Sequence, residues 1–505
     1  MAVPRALWRA AVVLLVAGAA AALSFRAVYE PDLWYHLAQG RQNLAGHIVG
    51  ENTFSFNYPD YRQHYAPWLF DAGMYGAWAI SGGTGVQTIQ AIFLAAAFVL
   101  VYRSARQRGP AVAAFAVLLI GIGIIEPRAI PRPHLASFAA LAACMVIFEK
   151  AVSKARASPL WWAVPLVAIW SNLHVEAAFG AFVVAVFATA ELVRPGALPR
   201  REGKLAVGIA ALCALATFAN PYGVGIWQYL IENRAVTGLL EIAELQPPYL
   251  PSYRAFFLYL IVTGVVLALA PRGIRVWELL IVGLAAALGL RYLRLTPIVF
   301  VVSAPIVARQ LGELMTRGLD RRAVVVTAIA LAIASARLPI AAYGSSWQVG
   351  DAAIEPPAFF SPVAIDFIRR EGLRGPVFNS NNLGGYLAFK LSPDVRIFQD
   401  SRFQSYPPEH FQRILRASAS PDEWRTLVAP VDGAVLSLPR PDALSGVGRF
   451  PASEWTTVFR DGAIEIVVRR KRVADKNAVG VGTSGTSGTT GMSGSWNELT
   501  LANFF

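Results

Sequence analysis

A small group of ionisable residues near the N-terminus has the types and spacing that proton transfer needs. Glu30, Asp32 and His36 occur within the stretch EPDLWYHL, directly after an apolar segment. On a helix, Asp32 and His36 are four residues apart and share one face. A carboxylate there could act as general base toward an acceptor hydroxyl or could hold a divalent metal ion. The alternative is that Asp32 caps the helix and that its aromatic neighbours mark a membrane interface.

Two further groups carry arginines, whose planar guanidinium matches the oxygen geometry of phosphate. The groups are Arg128, Arg132 and His134 in EPRAIPRPHLAS, and Arg291, Tyr292 and Arg294 in LRYLRL. We expect the four arginines to bind the phosphate or diphosphate of a lipid. As alternatives, the first pair reaches lipid headgroups, and the second pair forms ion pairs with Glu241 or Glu244.

A fourth polar group lies in WSNLHVEAAFG, where Asn172, His174 and Glu176 separate two apolar runs. Charged groups between membrane helices usually face a cavity and mark function, so these residues are pocket candidates. They are equally typical of a polar helix–helix joint whose side chains satisfy the backbone. The sequence contains no Walker loop, no Rossmann glycine fingerprint, no G-x-S-x-G, no H-E-x-x-H and no cysteine–histidine metal spacing. A nucleotide and a serine triad are therefore not expected.

The composition places these groups in a membrane protein. The 505 residues are 55% hydrophobic and 15% charged, with a mean hydropathy of +0.46, whereas soluble domains are about 25% charged. The net charge of +13 does not indicate nucleic acid, because most Arg and Lys residues cluster in short connections between apolar runs, where they set membrane topology. Cys144 and Cys213 both lie inside apolar runs, so neither suggests a disulfide or a metal site.

Eleven apolar segments are candidate membrane spans, because a helix needs about 20 residues to cross about 30 Å of hydrocarbon. They centre on 8–25, 84–102, 110–126, 134–149, 159–172, 177–193, 204–219, 254–271, 276–290, 295–309 and 323–342. With the N-terminus in the cytoplasm, every cytoplasmic connection carries Arg or Lys, which satisfies the positive-inside rule. We interpret the first segment as a retained signal anchor. The region after residue 342 is then outside the cytoplasm.

The first outer loop, 25–83, is long for a connector and rich in aromatic and acidic residues. Its segments 31–46 and 68–82 are predicted to be helices that lie along the membrane surface. The residues near one face of the first segment are Leu33, His36, Leu37 and Leu44. If 68–82 were counted as a membrane span, every later connection would be placed on the opposite side of the membrane. We interpret Asp60 and Asp71, which also lie in this loop, as structural.

Residues 343–470 have soluble character, and their alternating helix and strand patterns predict a small α/β domain. Asp461-Gly462 is a signal for a tight hairpin turn within it. Residues 471–505 are rich in Gly, Ser and Thr and are predicted to be a flexible tail. The predicted organisation is therefore a transmembrane domain over 1–342, an outer domain over 343–470 and the tail.

These features together resemble the GT-C superfamily of membrane glycosyltransferases, which use polyprenyl-phosphate or diphosphate sugars. PDLWYHLAQGRQNLAG is similar to the first-loop Asp region of oligosaccharyltransferase catalytic subunits and related bacterial enzymes. The motifs R-x-x-x-R-P-H, W-x-N-L-H, N-P-Y-G, F-N-x-x-N-x-G-G-Y-L and F-Q-D-S-R look like those of a group of bacterial GT-C-like membrane proteins. Over residues 5–470 the resemblance implies a polytopic α-helical GT-C-like fold with a C-terminal α/β domain, in a bacterial inner membrane.

The resemblance implies that Asp32 is the catalytic first-loop carboxylate, as general base or metal ligand. By location it makes phosphate-binding candidates of Arg128, Arg132, Arg291 and Arg294. The sequence departs from the family in two respects. The outer domain lacks a W-W-D motif, so Asn-linked protein glycosylation is not expected, and the paired acids of mannosyltransferases are absent, with Glu30-Pro31-Asp32 as the nearest approach.

The predicted function is transfer of a sugar from a polyprenyl-phosphate-linked donor to an extracytoplasmic acceptor, with Asp32 taking the acceptor's proton. A divalent metal ion is a candidate cofactor. The expected partners are the lipid bilayer, the lipid-linked donor and a glycan, lipid or protein acceptor, and nucleic acid is not among them. The alternatives are a transporter or flippase of lipid-linked glycans, which needs polar residues through the bilayer centre, and a non-catalytic membrane assembly protein with an outer binding domain.

Overall fold

The computed structural model describes residues 5–48, 50–62, 67–228, 231, 242–335, 347–439 and 449–471. Up to residue 335 the described chain is helical with short connections. Its helices are α1 (Arg5–Ala22), α2 (Pro31–Leu44), α3 (Trp68–Arg106), α4 (Ala111–Ile125), α5 (His134–Lys154), α6 (Ala163–Leu173), α7 (Ala177–Val193), α8 (Arg200–Ala216), α9 (Arg254–Leu269), α10 (Val276–Arg291), α11 (Thr296–Thr316) and α12 (Arg321–Ser335). Short 3₁₀ turns add Glu126–Arg128, Ser158–Trp162, Ala243–Leu245 and Leu293–Leu295.

Each of the eleven apolar segments contains a helix. Four helical stretches are long and apolar enough to cross a membrane: Trp68–Arg106, Ala111–Arg128, His134–Lys154 and Leu293–Thr316. Shorter apolar helices are Ala10–Ala22, Ala177–Val193 and Arg254–Leu269. A helix of 17 residues spans about 26 Å, which is less than the hydrocarbon thickness of about 30 Å. The helical character of the segments is therefore confirmed, whereas the number of eleven spans is not.

The helices are held together by aromatic packing and by close approaches at glycine. The rings of Phe148 and Phe187 stack with centroids 4.6 Å apart, and Trp277 meets Phe187 edge-on at 5.1 Å. A Cβ atom on Gly121 would lie 2.1 Å from the Phe300 ring, so only glycine allows α4 and α11 this contact. In an apolar medium such packing is what drives helix association. It fixes the positions of the helix ends, where the polar groups lie.

Helix α3 is broken near its first third. Ser81 has φ −148° and ψ 25°, and Gly82 has φ 57° and ψ −140°, a left-handed conformation that favours glycine. The backbone N–H of Gly83 donates to the carboxylate of Asp351 at 2.6 Å, which begins the short helix α13 (Asp351–Ile354). The predicted separation of 68–82 from the span that follows is thus confirmed. Its position on the membrane surface stays a prediction.

The C-terminal part of the described chain forms a five-stranded sheet flanked by helices. The strands are β1 (Gly375–Asn379), β2 (Val395–Ile397), β3 (Gly433–Ser437), β4 (Trp455–Arg460) and β5 (Ile464–Arg469), and the helices are α14 (Pro362–Arg370), α15 (Asn381–Leu391), α16 (Pro408–Ala419) and α17 (Pro421–Val428). The strand order is β2-β1-β3-β5-β4, with β1 parallel to β2 and β3 and with β4–β5 an antiparallel hairpin. The predicted strands and the hairpin at Asp461-Gly462 are confirmed. Residues 343–346 and 472–505, and hence almost the whole predicted tail, lie outside the described residues.

Two glycines of α15 allow close packing, one against α2 and one within the α/β unit. A Cβ atom on Gly385 would lie 2.7 Å from the backbone nitrogen of Tyr35, and one on Gly384 would lie 2.0 Å from the carbonyl oxygen of Gln399. Any side chain at either position would therefore separate α15 from its neighbours. The motif G-G-Y-L, which the sequence marked without a role, brings the outer unit against the helix that carries Asp32.

Helix α2 is enclosed by protein. Leu33 and Leu37 are both 0% exposed, and Trp34 meets Tyr386 of α15 edge-on with ring centroids 4.9 Å apart. Burial of each such side chain contributes roughly 1.5–3 kcal/mol. Part of the face predicted to lie on the membrane surface is thus covered by the protein itself, and α2 is held rigidly between α3 and α15.

Candidate active site

The N-terminus of α2 positions the first two acids. Pro31 stands in the first turn, where a missing N–H costs nothing. Glu30 is the N-cap residue, and its Oε1 accepts a hydrogen bond from the backbone N–H of Asp32 at 3.1 Å. The alternative that Asp32 itself caps the helix is therefore wrong. Its carboxylate is left to contact groups from other parts of the chain.

The connection between α4 and α5 brings Arg132 to these acids. Its Nη2 atom lies 2.8 Å from Oε1 of Glu30 and 3.1 Å from Oδ2 of Asp32. Its Nη1 atom lies 2.7 Å from Oε1 of Glu244. A tight turn holds the residue, since its backbone N–H donates to the carbonyl of Ile130 at 2.8 Å. One guanidinium therefore joins carboxylates from two distant parts of the chain.

Glu244 shares one oxygen between two arginines. Its Oε1 lies 2.6 Å from Nη1 of Arg128 and 2.7 Å from Nη1 of Arg132. Although burial alone would raise it, the charges of Arg128 and Arg132 hold the pKa of Glu244 well below its usual range. The alternative from the sequence was that Glu244 pairs with Arg291 or Arg294. The residues that donate hydrogen bonds to it are instead Arg128 and Arg132. We use the name Arg132 cluster for Glu30, Asp32, Arg128, Arg132 and Glu244.

Burial and neighbouring charges decide which members of the Arg132 cluster stay charged. Burial raises the pKa of Glu30 to about 7, opposed by Arg132 and reinforced by Asp32. Although burial opposes its charge, the surrounding Asp32, Glu244 and Glu30 raise the pKa of Arg132 well above its ordinary value. Arg132 is thus a permanent cation, and the charge of Glu30 changes near neutral pH.

His36 lies one turn further along α2 and contacts α3. Its Nδ1 atom is 2.7 Å from Oδ1 of Asp71, and the two side chains are 2% and 0% exposed. Burial lowers the pKa of His36 to about 3, so the imidazole is neutral at physiological pH. We assign the Nδ1 proton to the hydrogen bond with Asp71, because an ionised carboxylate can only accept. Asp71 therefore orients the ring, in keeping with the structural role predicted for it.

A second polar group forms at the joint between α6 and α7. His174 Nδ1 lies 2.7 Å from Oγ of Ser137 and 3.3 Å from Oε2 of Glu176. Oε1 of Glu176 lies 3.5 Å from Nη2 of Arg294. Burial alone would raise the pKa of Glu176, but His174 and Arg294 hold this pKa far below its usual range. His174 also acts electrostatically on His36, so this group borders the first.

Two of the predicted pocket residues form hydrogen bonds with backbone carbonyls around the site. Asn172 accepts a hydrogen bond from the indole of Trp68 at 2.7 Å and donates to the carbonyl of Ala219 at 2.7 Å. Nε2 of His134 lies 2.7 Å from the carbonyl oxygen of Arg128. The structural alternative for Asn172, a joint residue that satisfies the backbone, is therefore supported. His134 likewise positions the turn that carries the arginines.

Arg291 and Tyr292 lie at the rim of the same region. The Arg291 guanidinium stacks over the Tyr292 ring at 4.8 Å and donates to the carbonyl of Leu245 at 3.4 Å. Arg294 adds to the lowering of the pKa of the neighbouring Glu244. All four arginines selected from the sequence thus surround the 3₁₀ turn Ala243–Leu245, although they come from two segments more than 150 residues apart.

The outer α/β unit adds a hydroxyl that the sequence analysis did not select. Ser401 Oγ donates to Oδ1 of Asp32. Beside it, Asp400 and Arg402 form a fully buried ion pair at 2.7 Å, and Arg402 donates to Gln39 of α2 at 3.1 Å. These residues belong to F-Q-D-S-R, directly after β2. Polar residues at the carboxyl end of a parallel strand commonly build sites, and that signal could have identified Ser401.

The residues around Asp32 do not fit a divalent metal ion. Among the described residues, no group of three or more His, Cys, Asp or Glu side chains is placed to hold one. Glu30, Asp32 and Glu244 direct oxygens at Arg132 instead. Two unit charges 4 Å apart repel by about 4 kcal/mol at an effective dielectric constant of about 20, and a divalent ion doubles this figure. A metal ion on these oxygens would face that repulsion from Arg132.

No protein-family model and no curated protein matches the chain. Among solved structures, it is similar to the archaeal oligosaccharyltransferase AglB from Archaeoglobus fulgidus in complex with an inhibitory peptide and a dolichol-phosphate, with a TM-score of 0.56 and 13% identity over 85% of this chain and 70% of that one. The apo form of the Archaeoglobus fulgidus oligosaccharyltransferase gives a TM-score of 0.55 and 13% identity over 84% and 69%. The fold that the resemblance implied, that of oligosaccharyltransferases, is thus confirmed.

Proposed function

We propose that this protein is a membrane glycosyltransferase that moves a sugar from a polyprenyl-phosphate-linked donor to an acceptor hydroxyl. The observation that carries the proposal is the convergence of four polar groups, distant in sequence, around Asp32 and a set of arginines. The fold of an oligosaccharyltransferase supports the same reaction class. We place the site outside the cytoplasm in a bacterial inner membrane, as the charge distribution predicts.

Asp32 is the proposed general base. Its two carboxylate oxygens are oriented by Arg132 at 3.1 Å and by the hydroxyl of Ser401. The acceptor hydroxyl gives its proton to this carboxylate as its oxygen attacks the anomeric carbon. The bond between that carbon and the phosphate oxygen breaks, and the electron pair leaves with the polyprenyl phosphate. A positioned base contributes about 10²- to 10⁴-fold to such a step.

Arg128 and Arg132 are the proposed partners of the departing phosphate. Both already bind an anionic oxygen, that of Glu244, at 2.6 and 2.7 Å. Fixed guanidinium donors stabilise charge that develops on a leaving phosphate without reorganisation during the step. The similar AglB structure contains a dolichol-phosphate and a peptide, which supports a lipid-linked donor and a separate acceptor.

The test compares Asp32→Asn with Asp60→Asn, a matched change at an exposed position of the same loop. Purified protein in lipid nanodiscs is given a panel of polyprenyl-phosphate monosaccharides and alcohol acceptors, and product is followed by mass spectrometry. We expect Asp32→Asn to lower transfer by at least about 10²-fold without weakening the binding of polyprenyl phosphate, and Asp60→Asn to behave as wild type.

Full transfer by Asp32→Asn would contradict the mechanism. Binding of polyprenyl phosphate by the wild type without transfer from any donor of the panel would favour the non-catalytic alternative. Movement of the lipid between leaflets of a vesicle, again without transfer, would favour the flippase.

A further inference from the structure

Three acids contact the same side chain of the site through its two terminal nitrogens. The Arg132 guanidinium uses Nη2 for Glu30 and Asp32 and Nη1 for Glu244, at 2.7 to 3.1 Å. Carboxylates are the usual ligands of a divalent metal ion in proteins. Here they contact a guanidinium, and no group of three or more His, Cys, Asp or Glu side chains among the described residues is placed to hold a metal ion.

We propose that Arg132 is the permanent cation of this site, so that sugar transfer needs no divalent metal ion. The inference rests on the proposed function and assigns one part of it to a residue. Arg132 orients Asp32 through Nη2 and faces the departing phosphate through Nη1. A guanidinium stays protonated at any physiological pH, so it supplies a fixed positive charge as a bound metal would.

The local backbone keeps Arg132 where it is. Pro131 and Pro133 flank it and restrict the backbone on either side. Its backbone N–H donates to the carbonyl of Ile130 at 2.8 Å, and its own carbonyl accepts from Leu135 at 3.1 Å at the start of α5. The side chain is 20% exposed. A residue held by a turn between two helices is a fixed part of the site.

The second arginine strengthens the case. Arg128, 7% exposed in its side chain, lies 2.6 Å from the same Glu244 oxygen that Arg132 contacts. A metal ion on this oxygen would therefore meet two guanidinium groups. It would have to displace both before it could bind, while one phosphate group can bridge the two arginines without separating them.

Binding of Mn²⁺ to the purified full-length protein tests the proposal without any donor. Electron paramagnetic resonance reports free Mn²⁺, which we expect to be undiminished by wild-type protein up to about 1 mM, the range of weak protein sites. Arg132→Ala removes the cation beside Glu30 and Asp32 and should bind Mn²⁺ measurably more tightly than the wild type. Arg26→Ala, which removes the partner of the single acid Glu126, is the control and should bind it no more tightly than the wild type.

A transfer assay supplies the second readout. Wild-type transfer should be unchanged in excess EDTA, Arg132→Gln should lower it by at least about 10²-fold, and Arg132→Lys should recover part of it because it keeps charge but not the fork. Stoichiometric Mn²⁺ binding by the wild type that Asp32→Asn removes, or transfer that EDTA abolishes and Mn²⁺ restores, overturns the proposal. An absence of transfer with every donor is a failure of the proposed function and leaves the Mn²⁺ result to stand separately.

Discussion

Two ion clusters lie at opposite ends of helices α4 and α5. The Arg132 cluster follows α4 and precedes α5. The second, which we name the Glu278 cluster, consists of Arg108, Glu149, Arg275, Glu278 and Arg309. Arg108 precedes α4, and Glu149 lies near the end of α5. The two clusters share helices and residue types, but differ in how their charges are paired.

The Glu278 cluster is closed. Its central pair is bidentate, with Nη1 and Nη2 of Arg309 at 2.6 and 2.7 Å from the two oxygens of Glu278. The side chain of Glu278 is 0% exposed and that of Glu149 is 2% exposed. Glu278 and Arg309 both lie within helices, so their geometry is set by rigid elements. Such a pair has one favourable arrangement and suits a structural role.

The Arg132 cluster is open by comparison. Arg132 and Glu244 lie in connections between helices, and their side chains are 20% and 26% exposed. Oε1 of Glu244 is shared by two arginines, as Oε1 of Glu278 is, but none of the contacts described for Glu244 is bidentate. The shared and partly exposed Glu244 carboxylate can give way to a further anion while the two arginines stay in place. The contrast teaches that burial and pairing, rather than the presence of charge at a helix end, distinguish a structural ion cluster from a candidate functional site.

Removal of Glu278 should give the largest effect. Glu278→Ala removes a carboxylate that is 0% exposed from Arg309, which is 14% exposed, and breaking a buried pair from one side costs about 3–5 kcal/mol. We expect a large fall in melting temperature, measured by fluorescence-detected size exclusion in detergent. Glu244→Ala is the matched control and should cost less, because the Glu244 side chain is 26% exposed. Equal destabilisation by the two variants would erase the distinction between the clusters.

Glu30→Gln should give a pH-dependent effect of intermediate size. The folded pKa of Glu30 is raised to about 7, whereas its ordinary value is 4.5. Between these values the folded chain holds a proton that the unfolded chain has released, so stability falls as pH rises through this window. The unfolding free energy of the wild type relative to Glu30→Gln should therefore drop by up to about 3 kcal/mol between pH 4.5 and 7.

The measurement compares the unfolding free energies of the wild type and of Glu30→Gln over a series of pH values. Glu126→Gln is the control, because Glu126 is a carboxylate at the end of α4 where the Arg132 cluster lies. The glutamine retains an oxygen that can accept the N–H of Asp32, so the cap of α2 is preserved. A difference between wild type and Glu30→Gln that does not change with pH would show that the carboxyl is not a titrating member of the Arg132 cluster.

Glu244→Gln should give the smallest effect, and in the favourable direction. The variant weakens the internal anion that holds Arg128 and Arg132, so polyprenyl phosphate should bind more tightly, by about tenfold or 1.4 kcal/mol. Binding to protein in nanodiscs can be followed by native mass spectrometry, again with Glu126→Gln as control. Unchanged or weaker binding would mean that Glu244 and the lipid phosphate do not compete for these arginines.

The residue types of the site were readable from the sequence, and many of their partners were not. Asp32, Arg128 and Arg132 stood out because charge is rare in apolar surroundings. Glu244 was considered with the wrong arginines, and Ser401 was missed although its motif was noted. The Ser401–Asp32 hydrogen bond joins positions 369 residues apart. No local periodicity reports such a contact, because it depends on how α15 docks on α2.

The same holds for the fold. Apolar runs and turn signals determined the helical segments and the hairpin at Asp461-Gly462, since these depend on neighbours along the chain. They did not determine how many helices reach spanning length, because helix ends are set by packing and capping. The positions of the arginines and acids in the sequence predicted that charged groups lie in the connections between helices. Tertiary packing alone decided that Arg132 would bind three acids and that Glu278 would be sealed in a closed pair, because Coulomb energies depend on distance in space and on burial, which a linear sequence does not carry.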